Sequence, residues 1–156
     1  NILISPADAG SSSNELAKFG ARAIAWPELT FDPPETYSSL DEAIENLFGY
    51  DWLVLKSERA AAAFLVRFQM NHGLDQLDDL KTLAIGESTI ETLVRSQIHI
   101  DVAINRFPAE DIFAGLASYE GDLSGLSFLL PSAGLNCELF EQQLADAGAR
   151  VDNVCA

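Results

Sequence analysis

The chain has 156 residues and carries 24 acidic against 9 basic side chains, which gives a net charge of −15. Hydrophobic residues make up 48% and charged residues 21%, a composition typical of a globular domain and not of a disordered chain. Because nucleic acids and anionic membrane surfaces bind to basic faces, this charge excludes both as main partners, whereas a small anionic ligand needs only local donors.

Short apolar runs alternate with longer amphipathic runs along the chain. Strands are predicted at 2–4, 21–26, 52–55, 82–85, 98–103, 126–130 and 151–154. Helices are predicted at 11–19, 37–48, 58–70, 88–95, 109–118 and 137–147. In the second of these helices, Leu40, Ile44, Leu47 and Phe48 share one apolar stripe. Apolar strands separated by helices indicate parallel pairing with both sheet faces covered, so the predicted fold class is α/β, a flavodoxin-like doubly wound parallel sheet.

Prolines at 27, 33 and 34 separate the first β-α-β unit from the rest of the chain. The first unit, residues 1–27, cannot close a core alone, whereas the five predicted strands within 37–154 can. We therefore predict a complete domain at 37–154, preceded by a linker at 28–36 and by a fragment of another domain at 1–27.

Cysteine and histidine usage gives no sign of a disulfide framework or a metal site. Cys137 and Cys155 are predicted to be buried as small hydrophobic residues. His72 and His99 have no ligand-like spacing to each other or to the cysteines, so no metal is predicted. No apolar run approaches the ~20 residues of a membrane span, and no signal peptide is recognisable, so we expect a cytoplasmic protein. The start at Asn1, without methionine, indicates that upstream residues are missing or removed.

Several predicted strands run directly into small, polar turns that open the next helix. In open parallel sheets, ligands bind at the carboxyl ends of the strands, where backbone N–H groups meet the positive end of a helix dipole. Several such turns on one edge would cradle carboxylates or phosphates with little net positive charge. Taken singly, each turn is explained by plain helix capping. The turns are Ser5-Pro6-Ala7, Lys56-Ser57-Glu58, Gly86-Glu87-Ser88-Thr89 and Pro131-Ser132-Ala133-Gly134.

Several familiar nucleotide and catalytic motifs are absent from the sequence. No G-x-G-x-x-G follows the first strand, and there is no P-loop and no G-x-S-x-G elbow. A phospho-acceptor aspartate would end a central strand, but Asp51 begins its strand. The turns therefore carry whatever functional signal the sequence holds.

Four segments at these turns resemble the uroporphyrinogen-III synthase family. GYDWLVLKSERA (49–60) resembles the family's yDwlvftS-x-x-aV segment, and LAIGEST (83–89) resembles aavGxxTa. LLPSAG (129–134), followed by LFEQQLADAGARV (139–151), resembles LlprG…L…L…Ga.V. ILISP (2–6) stands where the family usually opens vlvTRP. These segments extend over nearly the whole chain, and their order and spacing together are fairly specific for this family.

The resemblance implies two α/β domains joined by two linking strands, with the active site in the cleft between them. The first domain is split: it takes the N-terminal β-α-β unit and the C-terminal portion of a full-length chain, and the second domain is inserted between. It also implies that this chain stops where the family continues into the split domain. We therefore expect a two-domain synthase architecture whose split domain is incomplete here.

The resemblance implies the cyclisation of hydroxymethylbilane, a linear tetrapyrrole, to uroporphyrinogen III with loss of water and inversion of ring D. This hydro-lyase reaction belongs to tetrapyrrole and heme biosynthesis and uses no cofactor or metal. The enzyme has to hold a floppy polyanion folded and help its hydroxyl group to depart. The expected partner is this tetrapyrrole, with no nucleic acid and no membrane, and the expected state is a monomer. The 156 residues alone are expected to be inactive.

Carried over residue by residue, Thr89 is the best match, at the family's Gly-x-x-Thr position. Ser57 and Ser88 follow, and then the turn at 132–134. The implied roles are N–H or hydroxyl donors to acetate and propionate groups, with helix capping as the structural alternative, and no catalytic residue is assigned. The predicted substrate-binding residues are Pro6, Ser57, Glu58, Gly86, Ser88, Thr89, Ser132, Ala133 and Gly134.

The sequence departs from the family pattern at charged positions. The opening Thr-Arg-Pro is replaced by Ser5-Pro6-Ala7 and the prG turn lacks its arginine, which leaves Lys56, Arg59 and Arg106 to offset the acidic charge locally. The family's candidate proton donor, a tyrosine, follows the point where this chain ends. Two alternatives stay open: a degenerate, non-catalytic relative that binds an anionic ligand or a protein partner, and an unrelated flavodoxin-like binding module whose turns are only caps.

Overall fold

The computed structural model describes residues 2–4, 9–25, 34–105, 109–132 and 138–156. The chain divides into two units, Asn1–Pro33 and Pro34–Ala156. Pro6, Arg106, Ala133, Gly134 and Cys137 lie outside the described residues, so the expectations placed on them stay predictions.

The first unit is a short β-α-β element. Strands β1 (Ile2–Ile4) and β2 (Ala23–Ala25) pair in parallel, and helix α1 (Ala9–Lys18) lies between them in the chain. Ile2 and Ile24 are each 42% exposed. Two strands and one helix are too few to cover both faces of a sheet, which explains why these apolar side chains stay accessible within the unit.

The second unit is a parallel sheet with helices on both faces, which confirms the α/β class. Its strands are β3 (Trp52–Leu55), β4 (Lys81–Ile85), β5 (Val102–Ile104), β6 (Ser127–Ser132) and β7 (Arg150–Cys155). Its helices are α2 (Ser38–Glu45), α3 (Glu58–Phe68), α4 (Glu87–Arg95), α5 (Ala109–Glu120) and α6 (Glu138–Asp146). Two 3-10 turns, Leu47–Gly49 and Leu74–Asp79, complete the connections. No helix in the described ranges is long and apolar enough to cross a bilayer.

The five strands lie in the order β5-β4-β3-β6-β7, and every pair is parallel. Counted along this unit, the strand order is 3-2-1-4-5. This order matches five of the six strands of the classic Rossmann sheet and differs from the 2-1-3-4-5 order of flavodoxin. The chain winds outward from β3 in one direction and from β6 in the other. The point where the winding reverses therefore lies between β3 and β6, in the middle of the sheet.

The central strand β3 is buried on both faces, which explains its unbroken apolar sequence. Leu53 and Leu55 pack into the core that α2, α3 and α4 cover. Trp52 and Val54 point to the opposite face and pack into the core that α5 and α6 cover. Alternate residues of each strand thus face different helices. The same two-residue alternation determines which helix a residue at the end of a strand can contact.

The predicted strand at 98–103 is wrong over its first part, because the strand β5 begins only at residue 102. The preceding helix α4 ends in a Schellman motif, with Gln97 at φ 60°. The Gln97 N–H donates to the Val94 carbonyl and the Ile98 N–H to the Leu93 carbonyl, both over 3.0 Å. Ile98 and Leu93 are buried together. Ile98 is therefore apolar because it seals a helix end, and not because it belongs to a strand.

Phe48, which was assigned to an apolar helix stripe, and Cys155, which was predicted to be buried, are both exposed. The helix predicted at 37–48 ends at Glu45, and Phe48 lies in the following 3-10 turn with 66% of its surface exposed. Cys155 is an exposed thiol because it belongs to the edge strand β7, on which no residue is fully buried. Helical spacing and apolar neighbours were not sufficient evidence of burial at these positions.

Candidate functional site

The strands β3 and β6 stop pairing before they end. Their register runs only to Leu53 opposite Leu129. The carbonyl groups of Leu126 and Ser132 accept hydrogen bonds from the neighbouring strand β7, so the even-numbered backbone groups of β6 face β7 and the odd-numbered ones face β3. The next N–H toward β3 would come from residue 131, which is Pro131 and has none. The hydrogen-bond ladder therefore stops at the switch point of the sheet, where ligands bind in folds of this kind, and we refer to this unpaired stretch between the ends of β3 and β6 as the opening.

Ser57 forms the turn that follows β3. Its backbone is extended (φ −154°, ψ 149°), and its Oγ accepts a hydrogen bond from the Ala60 N–H over 3.2 Å. This is the N-cap predicted as the structural alternative. Because a hydroxyl group both accepts and donates, the Ser57 O–H can still donate to a ligand. Glu58, the next residue, is exposed. Capping and ligand binding are thus compatible at Ser57.

Gly86 forms the turn that follows β4. It adopts φ 92° and ψ 143°, a conformation that disfavours any residue with a Cβ, and its N–H donates to the Ile104 carbonyl over 2.8 Å. Helix α4 therefore begins without a side-chain cap, and its first N–H groups are left to solvent or to a ligand. Ser88 is exposed at this end of the helix.

Thr89 lies beneath the Gly86 turn. It is 1% exposed, and its Oγ1 would lie 3.8 Å from a Cβ built on Gly86. This position suits a residue that fixes the shape of the turn better than one that meets a ligand directly. The predicted hydroxyl donor of the family resemblance therefore becomes, in this structure, a candidate for positioning the exposed N–H groups of the neighbouring turn.

Ser132 ends β6 and is 5% exposed. Its carbonyl accepts from the Ala156 N–H over 2.9 Å, which ties the end of β6 to the end of the described chain. It shares the face of the sheet with Phe128 and Leu130, four and two residues earlier, which pack against α5 and α6. Ser132 therefore belongs to the same edge as Ser57, on the other side of the opening.

Lys56 carries a buried charge at this edge. Its side chain is 8% exposed, and its Nζ lies 2.8 Å from Oε1 of Glu141 on α6. The same oxygen accepts from Asn153 Nδ2 on β7 over 3.0 Å. Lys56 was predicted to offset acidic charge, but Glu141 and Asn153 were not selected from the sequence. The two-residue period of the strand placed Lys56 on the same face as Trp52 and Val54, but the sequence did not show which residues of α6 and β7 meet it there.

A concavity lies away from these turns. A groove of about 710 Å³ runs between the end of α2 and the start of β7. Its polar groups already bond to each other: the Tyr50 hydroxyl donates to Asp152 over 2.8 Å, and Arg150 donates to the same carboxylate over 3.1 Å. Burial, followed by the bond to Asp152, raises the pKa of Tyr50 above its ordinary value. We therefore place the candidate site at the carboxyl edge and not in this groove.

No group of three or more potential metal-ligating side chains occurs within the part of the chain that the structure describes. The chemistry available at the carboxyl edge is thus that of backbone N–H groups at two helix starts, serine hydroxyls and one buried ammonium group. These groups recognise carboxylates or other small anions.

Comparisons with known proteins point to one family. The family model described as uroporphyrinogen-III synthase HemD matches residues 11–156. The uroporphyrinogen-III synthase of Synechococcus elongatus is 28% identical over 152 residues, which are 95% of this chain and 56% of that protein. A mutant and another form of uroporphyrinogen III synthase from Thermus thermophilus superpose with TM-scores of 0.71 and 0.67, at 13% and 16% identity. Each structural match covers 99% of this chain and 61% of the solved chain, so the chain spans a little over half the length of these relatives.

Proposed function

The chain belongs to the uroporphyrinogen-III synthase family, and we propose that it takes part in the family's reaction, the closure of hydroxymethylbilane to uroporphyrinogen III with loss of water. In this proposal the carboxyl edge of the second unit holds acetate and propionate groups of the linear tetrapyrrole. The cytoplasmic location, the monomeric state and the use of no metal or cofactor stay predictions from the sequence.

One observation carries the proposal: the sheet opens at its switch point, between turns that present N–H and hydroxyl donors. The opening lies between β3 and β6, with the partly exposed Ser57 on one side and the buried Ser132 on the other. The uncapped start of α4 at Gly86 is the next turn along the same edge. Donors spaced along one edge suit a flexible ligand with several carboxylates, because each held group removes conformational freedom before ring closure.

The reaction also requires the leaving hydroxyl to depart and ring D to be inverted, and no described residue is assigned to these steps. We propose that residues outside this sequence complete the machinery, because the family members that it matches are longer. Within the chain, the proposed roles are ligand donation by Ser57 and Ser88, and positioning of the turn by Thr89. Pro6, Ala133 and Gly134 keep their predicted binding roles.

A coupled assay tests this proposal. Porphobilinogen deaminase supplies hydroxymethylbilane, and the products are oxidised and separated into isomers I and III. Isomer I forms spontaneously, so only isomer III reports on the enzyme. The comparison is between the 156-residue chain and a fusion that adds the part of the Synechococcus elongatus protein outside the match. We expect isomer III from the fusion and only the no-enzyme background from the 156 residues.

A second candidate function is binding of an anionic ligand or a protein partner without catalysis. The pairing of Lys56 with Glu141 favours it, because this buried ammonium group is already neutralised in the structure. A fusion that binds the tetrapyrrole but yields only isomer I would replace the enzyme by this second candidate. Isomer III from the 156 residues alone would instead show that the added part is not required.

A further inference from the structure

The ion pair between Lys56 and Glu141 crosses the opening of the sheet. Lys56 is the first residue after β3, and Glu141 lies on α6, the helix that follows β6. Asn153, on the far side of β6, holds the same Glu141 oxygen. The three side chains thus span from β3 to β7 above the place where Pro131 interrupts the pairing of β3 with β6.

The two charges differ in their access to water. The Lys56 side chain is 8% exposed and the Glu141 side chain is 20% exposed. A buried ammonium group without a partner is strongly unfavourable, so Lys56 has to keep an anion beside it. Glu141 is the more accessible partner and the one that can turn toward solvent.

We propose that Lys56 is a carboxylate ligand of the switch-point opening, and that Glu141 occupies its ammonium group only until a ligand carboxylate takes that place. The inference rests on the proposed function for the identity of the ligand, a tetrapyrrole with acetate and propionate groups. The site it defines is a single carboxylate subsite between the ends of β3 and β6.

The exchange replaces one charge-assisted hydrogen bond by another of the same kind. Lys56 is never left buried without an anion, whereas a neutral or cationic molecule offers nothing to replace Glu141 and meets a closed ion pair. The subsite therefore favours carboxylates, because any other molecule would have to break the ion pair without replacing Glu141. It also accounts for anion binding by a chain of net charge −15, because the Lys56 ammonium group would contact the ligand carboxylate directly, and a charge in contact outweighs more distant, solvent-screened acidic charges.

Opposite effects of the two partners distinguish exchange from a structural ion pair. Lys56→Met removes the ammonium group and is expected to weaken ligand binding by about tenfold, the usual loss of one charge-assisted hydrogen bond. Glu141→Gln removes the competing charge and is expected to tighten binding by about tenfold, because an amide holds an ammonium group less strongly than a carboxylate does. A purely structural pair would give the same sign for both variants, or no change in either.

Asn153→Ala keeps the test decisive if Glu141→Gln fails to fold. It changes no charge and removes a hydrogen bond that holds Glu141. If the exchange takes place, Asn153→Ala is expected to tighten ligand binding a few-fold, because Glu141 then loses a hydrogen bond that helps to hold it beside Lys56. Melting temperatures of all variants check that each is folded under the conditions of the titration.

Two probes separate this inference from the proposed function. The 156-residue chain and its variants are titrated with uroporphyrin III, by fluorescence, and with butane-1,2,3,4-tetracarboxylate, by calorimetry. The exchange is supported if, with either probe, Lys56→Met weakens binding and Glu141→Gln tightens it. If these opposite effects occur with the tetracarboxylate while uroporphyrin III does not bind, the exchange stands and the tetrapyrrole proposal fails. The exchange is overturned if both variants change the affinity in the same direction, if neither variant changes it, or if neither probe binds.

Discussion

The two edges of the five-stranded sheet are built from different chemistry. At the amino edge, aspartate side chains accept hydrogen bonds from the backbone of neighbouring strands. Asp51 Oδ2 accepts from the Ser127 N–H and Asp101 Oδ2 accepts from the Thr82 N–H, each over 2.8 Å. Such charge-assisted bonds fix the starts of the strands relative to one another.

Further side-chain contacts close the amino edge. Lys81 Nζ lies 2.7 and 2.8 Å from the two carboxylate oxygens of Glu120, and the Tyr119 hydroxyl donates to Asp101 over 3.1 Å. The ring of Tyr119 meets Trp52 edge-on at 5.7 Å, and the Lys81 ammonium lies 5.6 Å from the centre of the same indole. The charged groups of this edge are thus engaged in hydrogen bonds and ion pairs, whereas the buried Trp52 Nε1 and Thr82 Oγ1 have no hydrogen-bond partner among the described residues.

The carboxyl edge is organised in the opposite way. Its turns present a helix start without a side-chain cap at Gly86, a hydroxyl with a remaining proton at Ser57, and an interrupted ladder at Pro131. Under the proposed function, the amino edge contributes stability and the carboxyl edge keeps donors available for the ligand. Substitutions at the amino edge should therefore change the free energy of unfolding, and substitutions at the carboxyl edge should change affinity.

The largest effect is expected at the amino edge from Asp101→Ala. This variant removes the acceptor of both the Thr82 N–H and the Tyr119 hydroxyl, and we expect the free energy of unfolding to fall by about 3 kcal/mol. Urea denaturation measures the change. Asp78→Ala, at an exposed aspartate, is the matched control and should stay within about 0.5 kcal/mol of the parent chain. Equal losses in both variants would show that the amino edge has no special role.

The next effect is expected at the carboxyl edge from Gly86→Ala. A Cβ at φ 92° is strained, and we expect a loss of about 2 kcal/mol together with weaker ligand binding, because the turn has to change shape. Gly49→Ala is the control, since Gly49 has no positive φ and nothing within 4 Å of the added Cβ. Chemical denaturation and a uroporphyrin III titration measure both quantities. An unchanged affinity in a folded Gly86→Ala variant would remove this turn from the site.

A smaller effect is expected at alkaline pH. The hydrogen bond to Glu120 raises the pKa of Lys81, and the hydrogen bond to Asp101 raises the pKa of Tyr119. Both groups keep their protons longer in the folded chain, so their contribution to stability is complete below their ordinary values of 10.5 and 10.0 and is lost as pH rises through the folded pKa.

The measurement for this prediction is the free energy of unfolding between pH 8 and pH 11, a range of about three units around these values. The double variant Lys81→Met, Tyr119→Phe should lose less stability across that range than the parent chain. Parallel curves for the two proteins would contradict the assignment of the alkaline loss to the amino edge.

The smallest effect on stability is expected from Pro131→Ala, which restores an N–H directed toward β3. One new hydrogen bond contributes about 0.5–1.5 kcal/mol. The greater freedom of the unfolded chain offsets about 0.4–1 kcal/mol of it. Hydrogen exchange should show a protected amide at residue 131, and uroporphyrin III should bind more weakly because the opening is narrowed. A rapidly exchanging amide at 131 would mean that something other than the proline separates the strands.

The class of fold followed from the sequence because the alternation of apolar runs and amphipathic helices is a local signal. The strand at 98–103 was predicted to begin too early because the sequence did not mark the end of α4. Gln97 adopts the left-handed conformation that glycine usually takes at a helix end. Pro131 was visible in the sequence, but its effect depends on which neighbour each backbone group of β6 faces. That information exists only in the register of the sheet.

The candidate site was predicted as a set of turns, and the described turns do lie on one edge of the sheet. The pairing of Lys56 with Glu141 could not be predicted, because the two residues are 85 positions apart and the contact depends on the packing of α6. The burial of Thr89 beneath Gly86 likewise depends on how α4 follows β4. Sequence patterns located the donors, and packing decided which of them are accessible.

Hydrogen–deuterium exchange of the 156-residue chain with and without uroporphyrin III tests the central claim most directly. The account predicts slower exchange at the first turns of α3 and α4, residues 58–61 and 87–90, and unchanged exchange at the amino edge near Asp51, Lys81 and Ser127. Protection at the amino edge, or in the groove beside Tyr50, with no change at the starts of α3 and α4, would contradict the placement of the ligand at the carboxyl edge.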